Sequence, residues 1–515
     1  MSIMRRLVSF YAKRKEKSID EVLDKSIELS EEKLMSILDR HKDTLVGRRY
    51  CFDEITTPDE FRQKVPLSDY RSMKPYFDLT YDDPNGGILT KDPVYWYLKT
   101  SGSAGKPKKL PATKKGLEDV SSVTALAWMA FMNAEPENPK IVDGTLITFG
   151  AAPDLGSING VKVGYATGVY ARNQNPLFQR LIEPGEDVFN IDDMDRKMRT
   201  YAELMATRDV TGIQGITTLS LALVRRMQNQ YGPWLLDRLA GTKHESRIRD
   251  ALRDDGTLDV GELWPNLRLL LASGIDPDPY REWISKTLPN VTLWNLYGAS
   301  EGVFAGQLLS DLEGMQLFTN TNYFEFIPED QASQENPDVI PLSDVKAGNR
   351  YEIVITNVQG YYRYRIGDMV TFESIDPYTI RSIGRCENVV NLAGEKITED
   401  QVAKAIQQTA EKTGYEVLDY SVVGIIEESR GHYAIAAMFQ QDSVDAVEFV
   451  TAYEEAMKRI NPEFRGSRET GAIGPTVLYR MNSSAFERRV RTHHLQAKPV
   501  PLTTETDVLS ICEAI

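Results

Sequence analysis

Twice in this chain a strand-like run breaks on glycine: the apolar run LRLLLASG at 267–274, and VTLWNLYGASEG at 291–302, which repeats the strand-then-glycine pattern. A strand covered on both faces reads as a continuous apolar run, unlike the alternation of a half-exposed one. A glycine at its end lets the chain turn sharply and lets backbone approach a ligand closely. The pair therefore predicts an α/β fold with buried parallel strands.

The rest of the chain fits around that sheet. Residues 1–65 read as helical, with helical spacing in EVLDKSIELSEEKLMSILDRH (21–41). Tyr95–Lys99 reads as a strand leading straight into a glycine-rich stretch, and a long helix follows over 115–132. Segment 142–170 has the glycines and short apolar runs of strands and turns, and 193–238 is expected to be helical. From Arg350 on, RYEIVITN, YYRYRIGDMVTF and IRSIGR predict successive antiparallel strands. After Gly384 a small α/β unit is expected: helix 399–412, strands 421–426 and 433–439, helix 444–460, strand 476–481. At 515 residues the chain is too long for a single core, and the division is expected at 1–384 and 385–515.

Composition narrows the function. The apolar share of 41% and charged share of 26% are those of an ordinary globular protein. A net charge of −15 argues against nucleic acid or an anionic membrane as the main partner. The longest apolar run, 123–132, is too short to span a bilayer. Cys51, Cys386 and Cys512 are far apart, which excludes a disulfide framework or zinc site and suits a reducing cytoplasm. Five histidines leave few candidates for a histidine base.

TSGSAGKPKKL, 100–110, packs glycines, hydroxyls and lysines together. It is not a Walker loop, because Gly102 and Gly105 are two residues apart and Pro107 follows Lys106. Its backbone N–H groups could still wrap phosphate oxygens. YGASEG, 297–302, ends a strand with Ser300 beside the carboxylate of Glu301. One glutamate suffices for magnesium, which takes one or two carboxylates and completes its shell with nucleotide phosphates. YRIGD, 364–368, places Asp368 after a tight glycine turn, where a carboxylate can accept both hydroxyls of a ribose. GRCENVVNLAGEKI, 384–397, adds Arg385 and a second glycine turn with Lys396. Each motif alone has an ordinary structural explanation as a turn, a cap or a hairpin.

Their order and spacing together resemble the adenylate-forming superfamily of acyl- and aryl-activating ligases. Within it the chain is most similar to the plant auxin-responsive (Gretchen Hagen) acyl acid-amido synthetases and their bacterial relatives. VPLSDYRSMKPY (65–76), LWPN (263–266), AIGPTVLYRMNSSAFE (472–487) and LQAKP (495–499) carry the likeness, which runs from about residue 20 to the end of the chain.

The resemblance implies a large N-terminal domain of mixed sheets flanked by helices and a small, mobile α/β C-terminal domain. It implies ATP and Mg²⁺, a small carboxylic acid as first substrate, and an amino acid or other amine as acceptor. Ser101, Gly102, Ser103, Gly105 and Lys106, helped by Lys108, would hold the β- and γ-phosphates. Glu301 would bind Mg²⁺ and Ser300 would contact the α-phosphate. Gly274 and Tyr297 would flank adenine, with Asp368 and Arg385 on the ribose. Lys498 would face the reacting phosphate and carboxylate, and the small domain would rotate between half-reactions about a hinge at 385–387. Ala125, Trp128, Met129 and Met132, at roughly helical spacing, are candidates for the acyl pocket or for plain core; Tyr323 and Phe324 are further candidates. A ligase with a thiol acceptor shares the same adenylation residues and stays open, as does a binding protein without catalysis.

Overall fold

The computed structural model describes the chain except for residues 1–2, 101–107, 175, 192, 274–276, 278–280, 313, 333, 335, 386–388, 391, 393–394, 396, 428–429, 471–472 and 482–499. Two compact units result, the larger taking most of the chain up to Arg381 and the smaller taking Ser382–Ile515 together with Asp276–Lys286.

The first half of the larger unit contributes β1 (Val94–Lys99), β2 (Lys109–Thr113), β3 (Thr145–Phe149), β4 (Ser157–Ile158), β5 (Val161–Tyr165), β6 (Ile182–Glu183), β7 (Val210–Ile216) and β8 (Leu269–Ser273). The second half contributes β9 (Thr292–Ala299), β10 (Gly302–Gly306), β11 (Met315–Leu317), β12 (Asn322–Pro328), β13 (Ile340–Pro341), β14 (Arg350–Asn357), β15 (Tyr364–Ile375) and β16 (Tyr378–Arg385). Four of them form a sheet in the order β2-β1-β5-β4, and the other twelve run β13-β12-β14-β15-β16-β11-β10-β9-β8-β7-β3-β6. From β6 to β9 neighbours pair in parallel, and from β9 onward in antiparallel. The two runs that end in glycine are β8 and β9, paired in parallel from Leu269↔Thr292 to Ser273↔Leu296.

The Lys114–Ala134 helix starts where the Thr113 side chain accepts from Gly116 N at 3.0 Å. It packs with the Ile3–Asp24 helix into one core with Leu269, Leu271 and Trp294 of the sheet. Ala125, Trp128, Met129 and Met132 all lie in this core. Residues 123–132 are buried without a break, so helical spacing could not separate a lining face from a packing face. Tyr323 and Phe324 are likewise buried, on β12.

Two expectations need correcting. Segment 193–238 is helical over Met194–Thr207, Thr217–Asn229 and Gly232–Arg238, but β7 interrupts it. VTGIQGI is too short and too glycine-rich for a helix, and it pairs in parallel with both β3 and β8. Nor is YRIGD a hairpin turn. β15 runs through it, and the register against β14 slips between Glu352 and Val354. Gly367, at φ +82°, sits in this β-bulge, which a side-chain-free residue accommodates without strain.

The start of β15 is fixed by buried charge. Arg363 has left-handed backbone, φ +46°. Its guanidinium donates to the Glu325 carboxylate at 3.0 Å and to the carbonyls of Arg62 and Val65, both at 2.8 Å. The neighbouring segment Ser68–Asp69 is tied in by Ser68 N to Arg363 O at 2.9 Å and Arg365 N to Ser68 O at 2.8 Å.

The smaller unit carries β17 (Val389–Val390), β18 (Ile397–Thr398), β19 (Val417–Glu427), β20 (Arg430–Phe439), β21 (Val477–Arg480), β22 (Leu502–Thr503) and β23 (Glu513–Ala514). Its five-stranded sheet has the order β22-β19-β20-β21-β23. Helix Glu399–Thr413 opens on a capping box between Thr398 and Gln401 and closes on left-handed Gly414. With Ala446–Ile460 it covers an apolar core. Glu395 of the GEKI motif is a structural member of this unit. Its carboxylate accepts from Leu392 N at 2.7 Å and from the Tyr433 hydroxyl, and its carbonyl accepts from Asn461 Nδ2 at 2.8 Å. No helix among the described residues is long and apolar enough to cross a membrane.

The Arg363–Glu325 pair has a measurable consequence. Glu325→Ala strands a guanidinium in the interior, which should cost about 3–5 kcal/mol. A urea-unfolding midpoint close to that of the unchanged protein would refute the dependence.

Candidate active site

The glycine-rich stretch is entered between two antiparallel strands. Lys99 pairs with Lys109. Beyond that pair, Thr100 N donates to Lys108 O at 2.9 Å and Lys108 N donates to Thr100 Oγ1 at 3.0 Å. These bonds close the base of the loop. Lys108 Nζ stands 4.7 Å over the ring of Tyr70, in the VPLSDYRSMKPY segment. Ser101, Gly102, Ser103, Gly105 and Lys106 lie outside the described residues, as do Gly274 and Lys498. Arg385 ends β16, and its side chain is likewise outside what is described.

Ser300 and Glu301 occupy the two-residue connection between β9 and β10, where the large sheet changes from parallel to antiparallel. Gly302 then takes φ +155°, where a Cβ would stand 3.2 Å from the Phe304 ring. The connection is held from three directions. The Tyr170 hydroxyl donates to the carbonyls of Ala299 and Ser300, at 3.0 and 3.1 Å. Asn357 Nδ2 and Gln359 Nε2 each donate to the Glu301 carbonyl at 3.0 Å. Glu301 is only 8% exposed. Burial first, and then the Glu301 carboxylate, push the Tyr170 phenol above its ordinary range, so it stays a neutral donor.

Asn357, Gln359 and Tyr361 belong to one turn between β14 and β15. Gln359 N donates to Asn357 Oδ1 at 3.1 Å, and Asn357 N donates to Tyr361 O at 3.0 Å. Sequence reading missed these residues. The available signal was their position in NVQGYYRYRIGD, directly ahead of a motif already singled out. Polar residues at a strand end read as an ordinary loop.

Asp368 projects from the bulge of β15 and is buried. The Tyr297 hydroxyl donates to its Oδ2 at 2.7 Å, although β9 and β15 are separated by three strands in the sheet. The Tyr297 ring is buried and tilted on Phe304, centroids 5.4 Å apart. Of the predicted residues, the structure thus joins Tyr297 to Asp368 directly. Ser300 and Glu301 lie just beyond Tyr297 on the same strand end.

Among the described residues no three His, Cys, Asp or Glu side chains converge as a metal cage. A magnesium ion held by one carboxylate and substrate phosphates is what the residues present fit. Histidine chemistry is not on offer from His41, whose ring accepts from Lys91 N at 3.0 Å. Burial pushes it down to about 4, so it is neutral at neutral pH and serves the fold.

Three regions match models of one family: GH3 family N-terminal domain over 15–255, central domain over 315–385 and C-terminal domain over 400–499. The jasmonoyl–L-amino acid synthetase JAR4 of Nicotiana attenuata is 24% identical over 522 residues, covering 91% of this chain and 89% of its own. The solved structure of the AtGH3.15 acyl acid amido synthetase in complex with 2,4-DB superposes with a TM-score of 0.80. It has 18% identity and covers 97% of this chain and 95% of that one. A 2-hydroxyisobutyryl-CoA ligase in the postadenylation state shares the fold more distantly, with a TM-score of 0.59, 14% identity and coverage of 88% and 85%. Matches to all three family domains, in order and across most of its length, place this chain in the GH3 family.

Proposed function

We propose that the protein is an ATP-dependent ligase that joins a small carboxylic acid to an amino acid in two half-reactions. A carboxylate oxygen of the acid attacks the α-phosphorus of ATP. The bond to pyrophosphate breaks, leaving an acyl-adenylate. The amine nitrogen then attacks the acyl carbonyl, the bond to AMP breaks, and an amide forms with loss of a proton to solvent. The observation that carries the reading is the joint placement of the Ser300–Glu301 turn and the Tyr297–Asp368 pair at one strand end of a GH3 chain.

The chemistry suits a site poor in histidine. A carboxylate is already a nucleophile at neutral pH and needs no base. The protein's work is positioning and neutralising charge at phosphorus. Ser101, Gly102, Ser103, Gly105 and Lys106, with Lys108, are assigned to the β- and γ-phosphates and Ser300 to the α-phosphate. Glu301 is assigned to Mg²⁺, which when bound offsets the triphosphate charge. Gly274 and Tyr297 are assigned to the adenosine side, with Asp368 and Arg385 on the ribose. A carboxylate has several acceptor lone pairs, so the Tyr297 bond can orient Asp368 toward ribose hydroxyls. Lys498 is assigned to the reacting phosphate and carboxylate. Residues 385–515 are assigned to a domain that rotates between half-reactions. The JAR4 relative is named for joining an acid to an amino acid, which supports amine over thiol as acceptor.

ATP–pyrophosphate exchange should appear with one member of a carboxylic acid panel in the presence of Mg²⁺. Amino acids, and not coenzyme A, should then convert the acyl-adenylate to product and AMP. Release of ADP in place of AMP would refute the reaction. Asp368→Ala should raise KM for ATP by roughly ten- to a hundredfold, the loss of one or two hydrogen bonds to a charged acceptor. Exchange kinetics with unaltered KM would remove Asp368 from the nucleotide site.

Tyr170→Phe frees two carbonyls of the Glu301 turn and should lower exchange about tenfold, the effect of one lost positioning bond. Hydrogen exchange at residues 299–303 should quicken in parallel. Unchanged exchange at those amides would show that the turn does not need Tyr170.

A further inference from the structure

Lys108 brings its charge to the base of the glycine-rich stretch without an acidic partner. Among the described residues no carboxylate pairs with it. Its ammonium instead stands 4.7 Å over the ring of Tyr70. Its main chain is fixed as well, since Lys108 N donates to Thr100 Oγ1 at 3.0 Å and its carbonyl accepts from Thr100 N at 2.9 Å.

The ring that meets the ammonium is held from several sides. Tyr70 is the first residue of the Tyr70–Asp82 helix. Asp69 caps that helix: its carboxylate accepts from Ser72 N at 2.8 Å, and its own N donates to Ser72 Oγ at 2.8 Å. The residue before the cap is tied to the segment leading into β15, where Ser68 Oγ donates to Tyr362 O at 2.7 Å. The Tyr70 ring leans on Phe77, with centroids 5.8 Å and planes 35° apart. Lys74, one turn further on, is paired with Asp78 at 2.6 Å; Lys108 is the cation that stands over the ring.

An aromatic face attracts an ammonium through its quadrupole and carries no net charge. It can therefore orient a lysine without neutralising it. A carboxylate in the same place would cancel the charge that an anionic ligand needs. A free lysine side chain also loses much rotamer freedom when a ligand fixes it. One already held over a ring loses less at the moment of binding.

We propose that Tyr70 is a positioning residue for Lys108. Its ring holds the ammonium charged and oriented at the base of the loop, ready for the β- and γ-phosphates of ATP. This rests on the assignment of Lys108 to those phosphates, and the experiment separates the two.

The probes are AMP-PNP with Mg²⁺ and, separately, AMP, each titrated into the full-length protein by calorimetry. AMP lacks the phosphates that Lys108 would meet. Tyr70→Leu keeps an apolar side chain against Phe77 and removes the ring. It should raise the Kd for AMP-PNP about fivefold, the effect of losing a half-buried cation–π contact, and leave the Kd for AMP unchanged. Tyr70→Phe keeps the ring face and should bind AMP-PNP within about twofold of the unchanged protein. In a Lys108→Met background, itself weaker for AMP-PNP, Tyr70→Leu should add nothing, because Tyr70 acts only through Lys108. The proposal is overturned if Tyr70→Leu leaves AMP-PNP binding unchanged or weakens AMP equally. It is also overturned if Tyr70→Phe is as impaired as Tyr70→Leu, or if Tyr70→Leu costs as much without Lys108 as with it. Unaltered AMP-PNP affinity in Lys108→Met would overturn the phosphate assignment of Lys108 and the proposal together.

Discussion

The ion pair of Arg363 with Glu325 sets the geometry on both sides of the site. An arginine with left-handed backbone is costly in isolation. It persists because its guanidinium is held by a buried carboxylate and two carbonyls. That one residue separates two working segments. Before it, the 357–361 turn reaches the Glu301 carbonyl through Asn357 and Gln359. After it, β15 bulges at Gly367 and turns Asp368 toward Tyr297. Moving Arg363 to ordinary extended backbone would change the direction of both. A buried pair is weak evidence for stability by itself. Its value in this fold is that only one backbone path satisfies it.

The second constraint is the reversal of the sheet. Parallel strands from β6 to β9 deliver their carboxyl ends to one edge, and open α/β sheets bind ligands at such edges. A chain that continued in parallel would leave through a long crossover. This chain turns back within two residues to pair antiparallel as β10, so Ser300 and Glu301 stay at the strand end. The φ of Gly302 allows the reversal. A tight turn exposes backbone groups that need partners, and Tyr170, Asn357 and Gln359 supply them. The backbone around Glu301 is thus held by satisfied hydrogen bonds on several sides.

How much of this was legible in the sequence depends on whether a feature is written in neighbouring residues. β8 was, because burial on both faces leaves an apolar run, and β9 was, because its strand-forming residues likewise end in glycine. The helices and strands of the small unit were, because Thr398, Gln401 and Gly414 punctuate them locally. β7 was not, since seven residues with two glycines between two helices carry no period of their own. The bulge at Gly367 was taken for a turn because a positive-φ glycine looks the same in either. Its meaning is set by the register with β14, far off in sequence. The partners of Glu301 were invisible for a similar reason. Asn357 and Gln359 are separated from it by more than fifty positions, and the bonds run from their side chains to its backbone. The acyl-pocket candidates stayed undecided for the opposite reason. Residues 123–132 of the Lys114–Ala134 helix are buried on every face, so spacing there selected nothing.

The chemistry around Glu301 is consistent in one further respect. Burial first, and then the Glu301 carboxylate, push the Tyr170 and Tyr361 phenols upward, so both stay neutral. A second carboxylate there would raise the affinity for a bare divalent cation, because like charges crowded together are relieved by metal. Neutral phenols add no further negative charge beside Glu301. One buried carboxylate holds a hydrated cation weakly unless further anionic oxygens arrive with it. Nucleotide phosphates are such oxygens, so metal and nucleotide binding become linked, each strengthening the other by the same factor. If Glu301 is the metal carboxylate, as proposed, such a site would favour the metal–nucleotide complex over the free ion.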